Sequence, residues 1–388
     1  MRITVGNPVE GENFYGRERE MGQLWERLAN DHVLMLAPRR IGKTSLLKRL
    51  RDTGEAHKVS VVVCSFAGCN AESDCIKKIV EALSAHTAIS KTAGGLKDIF
   101  SRVKSVKVGS VAVDLHEAER EPWRAEGEAL DRLLKKCDHS VLICVDELPI
   151  FVLEMLKNND VGRARSFLNW FRDLRQQHTR HVKWILAGSI GLDTVAKRFR
   201  MGDTINDLSL YPIGAFTEDV AQGLLEKLAS SNNCIITQEV CLYIIKRVGW
   251  PAPYYLQVMF RTIKDNLQGQ RNTIEKKDVD NAFEELMSPA HKNYFDYWRQ
   301  RLADELGSPQ DGWAILLLNA LCQDPTGSTK ESLAQVLSQR VADPDAKDEQ
   351  LNYVLDVLES DGYITVVDGR YRFRMVLLQE YWKRRVAT

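Results

Sequence analysis

Val33-Leu34-Met35-Leu36-Ala37-Pro38-Arg39-Arg40-Ile41-Gly42-Lys43-Thr44-Ser45 decides how the rest of this chain is read. An apolar run ends in a short basic loop, and the loop ends in Gly-Lys-Thr. A helical pattern follows, with Leu46, Leu47 and Leu50 on one face and a stop at Gly54. Strand, loop, helix is the context in which a phosphate-binding loop forms. The loop's backbone N–H groups would wrap a β-phosphate, and the new helix N-terminus favours anionic charge. Lys43 would reach the β and γ oxygens, and the Thr44 hydroxyl would ligate Mg²⁺. The first glycine of the usual pattern is replaced by Ala37, whose methyl group can restrict the backbone at that point.

Two further stretches supply chemistry. Val141-Leu142-Ile143-Cys144-Val145-Asp146-Glu147 is five apolar residues followed by two carboxylates, a buried strand that delivers acids at its C-terminal edge. Ligands bind at that edge in parallel α/β sheets. Asp146 is expected to hold Mg²⁺, directly or through water, and Glu147 to polarise an attacking water as general base. The plain alternative is an Asp that caps the following helix. Val182 to Ser189 is another apolar strand with a polar end; beside the phosphate-loop strand, Ser189 can contact a γ-phosphate or its water. His57 to Phe66 and Leu208 to Ile213 complete the set of core strands. Val103 to Leu115 alternates valines with polar residues and reads as an inserted hairpin. Arg163, Arg165, Arg198 and Arg200 are the candidates for an arginine that reaches a neighbour's nucleotide, against the commoner role of a solvated face.

From Thr217 the pattern is helical. Four amphipathic segments run to Leu286, punctuated by Gly249-Trp250-Pro251-Ala252-Pro253. The end of the chain reads helix (Trp313 to Leu321), helix (Lys330 to Leu337), helix (Glu349 to Leu358), then strands Tyr363 to Val367 and Arg370 to Phe373 joined by Asp368-Gly369, a hairpin signal. That is a winged-helix order. Charge argues against DNA in its third helix: between Asp343 and Asp361 there are seven acids and one base, Lys347, and a helix meant for a major groove should attract phosphates. Arg370, Arg372, Arg374, Lys383, Arg384 and Arg385 leave a wing-led DNA contact as the lesser option, behind a protein-facing role.

Bulk properties narrow the field. The 388 residues suggest two or three domains. Fifty-three basic and fifty-three acidic side chains cancel, so no global field draws the chain to nucleic acid or anionic lipid. No apolar run approaches the roughly 20 residues of a membrane span, and Met1 to Pro8 lacks the apolar core of a signal segment, so a cytoplasmic location is expected. The eight cysteines form no Cys-x-x-Cys pair and read as reduced, mostly buried thiols. His178 and His181 read as surface residues rather than metal ligands.

Taken in order, Tyr15-Gly16-Arg17-Glu18, Pro38 to Ser45, Val145-Asp146-Glu147-Leu148-Pro149, Ala187-Gly188-Ser189, Gly249-Trp250-Pro251 and Tyr371-Arg372-Phe373-Arg374 resemble the STAND branch of the AAA+-like P-loop ATPases, in particular the small prokaryotic and archaeal ATPases of the MNS type. The resemblance covers nearly the whole chain. It implies an α/β fold: a parallel five-stranded sheet, with the Ser189 strand between those of Asp146 and the phosphate loop, followed by a helical lid and a C-terminal winged helix. The implied division is an ATPase core over 1–215, with the hairpin at about 103–115, a lid over 216–290 and a winged helix over 291–388. Gly16, Arg17, Gly249 and Pro251 would flank the adenine. Pro38, Arg39, Arg40, Ile41, Gly42, Lys43, Thr44 and Ser45 would hold the phosphates; Thr44 and Asp146 the metal; Glu147, Lys43 and Ser189 the reaction. The expected activity is a switch that binds ATP, hydrolyses it slowly with Mg²⁺ and signals to a protein partner, with no membrane involved and with nucleotide-dependent oligomers. The rivals are a DNA-binding ATPase of the initiator or helper kind and a scaffold that no longer hydrolyses.

Overall fold

A computed structural model describes residues 1–92, 121, 123–157, 160–188, 199–267, 269, 271–341 and 343–387. The expected hairpin at 103–115, Ser189 and Arg198 lie outside the described residues. The chain divides into two compact units, one joining Met1–Glu18, Ala37–Lys43 and Ile213–Thr388, the other Arg19–Leu36 and Thr44–Pro212.

The second unit holds the sheet. Five strands, β1 (His32–Leu36), β2 (Ser60–Ser65), β3 (Val141–Asp146), β4 (Val182–Gly188) and β5 (Leu208–Pro212), lie in the order β2-β3-β4-β1-β5. Every pairing is parallel. The register sets Val33 beside Ile185, Val145 beside Leu186 and Ser65 beside Asp146. The β4 strand thus lies between β3 and β1, as the resemblance implied. All six residues of β3 are buried, which is why its sequence is a continuous apolar run rather than an alternating one.

Helix α1 (Glu18–Leu28) precedes β1, and α2 (Lys43–Thr53), α3 (Glu72–Ala85), α4 (Thr87–Thr92), α5 (Arg124–Lys135), α6 (Leu148–Lys157) and α7 (Val161–Gln177) lie between successive strands. An aromatic cluster packs α6 and α7 onto the sheet. Phe171 meets Trp184 edge-on with ring centroids 5.1 Å apart, and Phe151 meets Phe167 at 5.3 Å. Such pairs add about 0.5–1.5 kcal/mol each beyond the area they bury. All eight cysteines are free thiols and all but Cys234 are buried. His178 is buried too, contrary to the sequence reading. It is 2% exposed and bonds Asp131 of α5 across 2.8 Å. A polar ring can enter a core when a partner from another helix meets it, and spacing along the chain does not display that partner.

The first unit is helical. Helices α8 (Glu218–Ser231), α9 (Gln238–Val248), α10 (Pro253–Leu267) and α11 (Lys276–Leu286) come first. Thr217 and Thr237 cap α8 and α9, their hydroxyls accepting the N–H groups of Val220 and Val240, the role that favours Thr just before a helix. Then come α12 (Asp296–Leu306), α13 (Gln310–Leu321), α14 (Lys330–Leu337), α15 (Pro344–Ser360), strands β6 (Ile364–Val367) and β7 (Arg370–Phe373), and α16 (Val376–Arg385). The hairpin turn places Asp368 and Gly369 at φ 51° and 74°, the paired left-handed residues of a type I′ turn. Helix α12 had no expectation attached to it. Among the described residues, no helix is long and apolar enough to cross a membrane.

Candidate functional site

The phosphate loop leaves β1 and enters α2. Its left-handed positions are Arg40 (φ 69°) and Gly42 (φ 99°). Ala37 is not one of them, and its methyl group is accommodated at 5% exposure. The missing first glycine therefore does not obstruct the loop. Lys43 is 7% exposed, and its Nζ donates to the Ala37 carbonyl at 2.8 Å, closing the loop on itself. Nothing lies within 4 Å of where a Gly42 side chain would begin, so the backbone there is open to approach.

Arg17 ties this loop to the start of the helical segment. It is 5% exposed and donates to Ile41 O at 3.2 Å and Gly214 O at 2.8 Å, while its guanidinium lies 4.6 Å from the centre of the Phe216 ring. Phe216 in turn donates its N–H to Pro251 O at 3.1 Å. The two stretches expected around an adenine, Gly16-Arg17 and Gly249 to Pro253, are thus joined through Phe216, which the sequence reading did not single out.

Arg40 carries the loop's strain. A left-handed L-residue costs roughly 1–2 kcal/mol, and the Arg40 guanidinium stacks on Tyr254 of α10 at 4.1 Å and on Tyr297 of α12 at 5.1 Å. Each cation–π contact contributes about 0.5–2 kcal/mol, so the pair is large enough to offset the strain. The Arg40 side chain is engaged there, and its backbone is what it would offer to a phosphate. The signal that could have found Tyr297 is the aromatic run Tyr294, Phe295, Tyr297, Trp298, dense enough to mark a packing site.

The acids form their own cluster in the sheet unit. Thr44 Oγ1 donates to Asp146 Oδ2 at 2.7 Å, and Glu147 N donates to Asp146 Oδ1 at 3.0 Å. Asp146 is 5% exposed. The Thr44 bond distinguishes it from an Asp that serves its own helix alone. Glu147 has φ 60°, a strained turn that separates its side chain from the regular path of α6. Behind this turn, the ring of Pro149 lies against Gly188: a side-chain carbon on Gly188 would be 2.5 Å from Pro149 Cδ. The end of β4 and the turn after β3 are therefore in direct contact.

Two of the arginine candidates are engaged within the chain. Arg163 holds Glu72, which is 1% exposed, through Nε and Nη2, and that contact raises the Arg163 pKa. Arg165 donates to Asp203 and to Arg200 O. Arg200 is exposed. Among the described residues, no group of three His, Cys, Asp or Glu side chains is placed to hold a metal ion. A cation held through phosphates needs fewer, because Mg²⁺ at such sites uses one or two protein oxygens and keeps several waters.

No protein-family model matches the sequence, and a search of curated proteins returns no match either. Solved structures do match. A Walker-type ATPase of Pyrococcus abyssi superposes with a TM-score of 0.63 over 98% of this chain and 99% of its own, at 16% identity. The ORC2 protein of Aeropyrum pernix, in ADPNP–ADP complexes, superposes with a TM-score of 0.55 over 98% of this chain and 96% of its own, at 13% identity. By fold, then, this chain is similar to P-loop ATPases over nearly its whole length.

Proposed function

We propose that this chain is a nucleotide switch that binds ATP with Mg²⁺ at the phosphate loop, hydrolyses it slowly and reports its nucleotide state through a lid (216–290) and a C-terminal winged helix (291–388). The observation that carries the reading is the 2.7 Å hydrogen bond from Thr44 Oγ1 to Asp146 Oδ2, across 102 residues of sequence. A loop hydroxyl and a strand-end carboxylate meet there, two hard oxygen donors of the kind Mg²⁺ prefers. When bound, Mg²⁺ supplies neutralisation of the charge on the transferring phosphoryl group.

The remaining work falls to side chains and backbone. Lys43 exchanges the Ala37 carbonyl for a phosphate oxygen. The N–H groups of Arg39, Arg40, Ile41, Gly42, Lys43 and Thr44 point at the phosphates, with Pro38 and Ser45 bounding the loop. Glu147 accepts a proton from the attacking water, and Ser189 contacts the γ-phosphate. Gly16, Arg17, Gly249 and Pro251 border the base. Of the four candidate fingers, Arg198 and Arg200 are the ones we retain for a neighbouring copy, since Arg163 and Arg165 are engaged. The output goes to a protein partner, as in the STAND-type ATPases that the motifs resemble.

A DNA-binding reading draws less support. Of the six C-terminal bases, Arg372 and Lys383 are exposed, and Arg370 donates to Gly327 O, Arg374 to Ile364 O and Glu359 O, Arg384 to Glu284 and Glu380, and Arg385 to Met287 O. Side chains spent on internal partners are poor phosphate ligands.

Steady-state phosphate release and nucleotide binding test the proposal. Wild type should turn over ATP only with Mg²⁺ present. Lys43→Ala should lose ATP binding. Glu147→Gln should bind ATP but turn over about 10²–10⁴-fold more slowly, the usual scale of one general base. Unchanged affinity in Lys43→Ala would sink the ATP site, and wild-type turnover in Glu147→Gln would sink the base.

A further inference from the structure

The phosphate loop is held by side chains from far downstream in the same unit. Arg40 keeps its left-handed turn, φ 69°, with its guanidinium between the rings of Tyr254 and Tyr297. Strained residues of this kind persist where their surroundings over-determine them. The surroundings are themselves anchored. The Tyr297 hydroxyl lies 3.1 Å from that of Tyr255, which accepts the Trp298 indole N–H at 2.7 Å. Burial pushes the Tyr297 phenol up to about 12 and raises that of Tyr254, so both rings stay neutral faces for the cation at neutral pH.

A second contact lies two residues earlier. Pro38 rests against Gly362, two residues before β6: a side-chain carbon on Gly362 would lie 2.8 Å from Pro38 Cγ and 3.4 Å from the Trp250 ring. Gly362 has φ 87°, so it is glycine by conformation as well as by space. The loop is thus gripped at Pro38 and at Arg40, in both cases with a contribution from the segment that begins at α12.

We propose that Arg40 is a positioning residue for the nucleotide, and that its stack between Tyr254 and Tyr297 sets how fast nucleotide leaves the phosphate loop. The proposal rests on the reading of that loop as an ATP site. The φ of Arg40 orients the peptide units that follow it, and these are the N–H groups of Ile41, Gly42 and Lys43 that face a phosphate. With the stack intact they are held ready. Without it Arg40 relaxes toward ordinary backbone conformations and the N–H groups turn away. Coupling of this kind is reciprocal: whatever displaces Tyr297 weakens nucleotide binding, and bound nucleotide holds Tyr297 in place.

Displacement of a fluorescent N-methylanthraniloyl-ADP from the full chain by excess ADP, followed by stopped flow, tests this. Tyr297→Leu removes the ring and should speed release about 5- to 30-fold, the scale of one cation–π stack. Tyr297→Phe keeps the ring and should stay within about twofold of wild type on the same scale. Arg40→Gly accepts the left-handed turn without strain but has nothing to stack, and it should also release faster; it keeps the test open if Tyr297→Leu does not fold by circular dichroism. Wild-type release from both Tyr297→Leu and Arg40→Gly would overturn the clamp and leave the ATP site standing. Equal acceleration by Tyr297→Phe and Tyr297→Leu would overturn it as well, since the ring would then not be the cause. Absence of saturable nucleotide binding in the wild type would overturn the clamp together with the ATP site.

Discussion

His32, at the start of β1, shows how a single buried side chain sets a pH limit on the sheet. Its Nε2–H donates to Arg175 O at 3.1 Å, and its Nδ1 accepts the Trp184 N–H at 3.3 Å. That fixes one neutral tautomer, because a proton on Nδ1 would face the Trp184 donor. Burial, then the nearby Arg175 and Lys183 charges, lower its pKa to about 4 from an ordinary 6.5. Above pH 6.5 the ring is neutral folded and unfolded alike, and the site contributes its full stability. As pH falls from about 6.5 to about 4, the unfolded chain takes up a proton that the folded site refuses, so stability drops, on the order of 3 kcal/mol at about 1.4 kcal/mol per unit. His32→Gln, which can keep one donor and one acceptor, should flatten this part of the dependence of thermal midpoint on pH. Equal slopes for the variant and the wild type between pH 6.5 and 4 would show that another group is responsible. The same scale explains why the loop was legible in outline and not in detail. Lys43, Thr44 and Asp146 are motif chemistry, readable from residue type. The negative-φ environment that tolerates Ala37 and the cage around Arg40 are set by neighbours that no local pattern names.

Elements meet at glycines that behave oppositely. Gly188 ends β4 against the ring of Pro149, at the head of α6. A methyl group there has no flexible atom to displace, since the proline ring cannot rotate away. Gly188→Ala should lower stability by about 1–3 kcal/mol, the range for overpacking a tight contact. Gly22 lies mid-way along α1 with nothing within 4 Å of an added side chain. Gly22→Ala should raise stability by about 0.5–1 kcal/mol through helix propensity. Urea midpoints of both variants check the signs, and a Gly188→Ala protein as stable as wild type would remove the contact from the account. Strands β1 to β4 were legible as apolar runs bounded by turn residues, and β5, which carries Ser209 and an exposed Leu210, as a short apolar-polar stretch ahead of Gly214. Helix α12 was not, because its aromatic residues are crowded at its start instead of spread at helical spacing.

On the scale of the whole molecule, charge is balanced in number and the C-terminal segment sorts it. Asp343, Asp348, Glu349 and Asp356 are exposed on and just before α15. Asp361 is fully buried beside Arg301, 3.4 Å away, and adds nothing to the surface field. Arg370, Arg374, Arg384 and Arg385, which would offset the exposed acids, donate to carbonyls or to Glu284 and Glu380, leaving Arg372 and Lys383 of the six bases, both exposed. Filter binding should therefore retain no duplex DNA at about 0.15 M salt, where a protein making several phosphate contacts still binds measurably. Tight retention with a steep salt slope would restore the DNA reading.

Sequence alone determined the residue types of the candidate site and the order of the parts: a strand, a loop ending in Gly-Lys-Thr and a helix, an apolar strand ending in two acids, capped helices, and a hairpin at Asp368-Gly369. These follow from short-range rules, the period of apolar residues and the backbone preferences of Gly, Thr and Asp. Tertiary structure decided what lies across long separations. It brought Thr44 to Asp146, buried His178 on Asp131, stacked Arg40 on Tyr254 and Tyr297, and gave Arg370, Arg374, Arg384 and Arg385 partners within the chain. Burial and charge pairing depend on which surfaces meet, and that is a property of the folded chain rather than of any stretch within it.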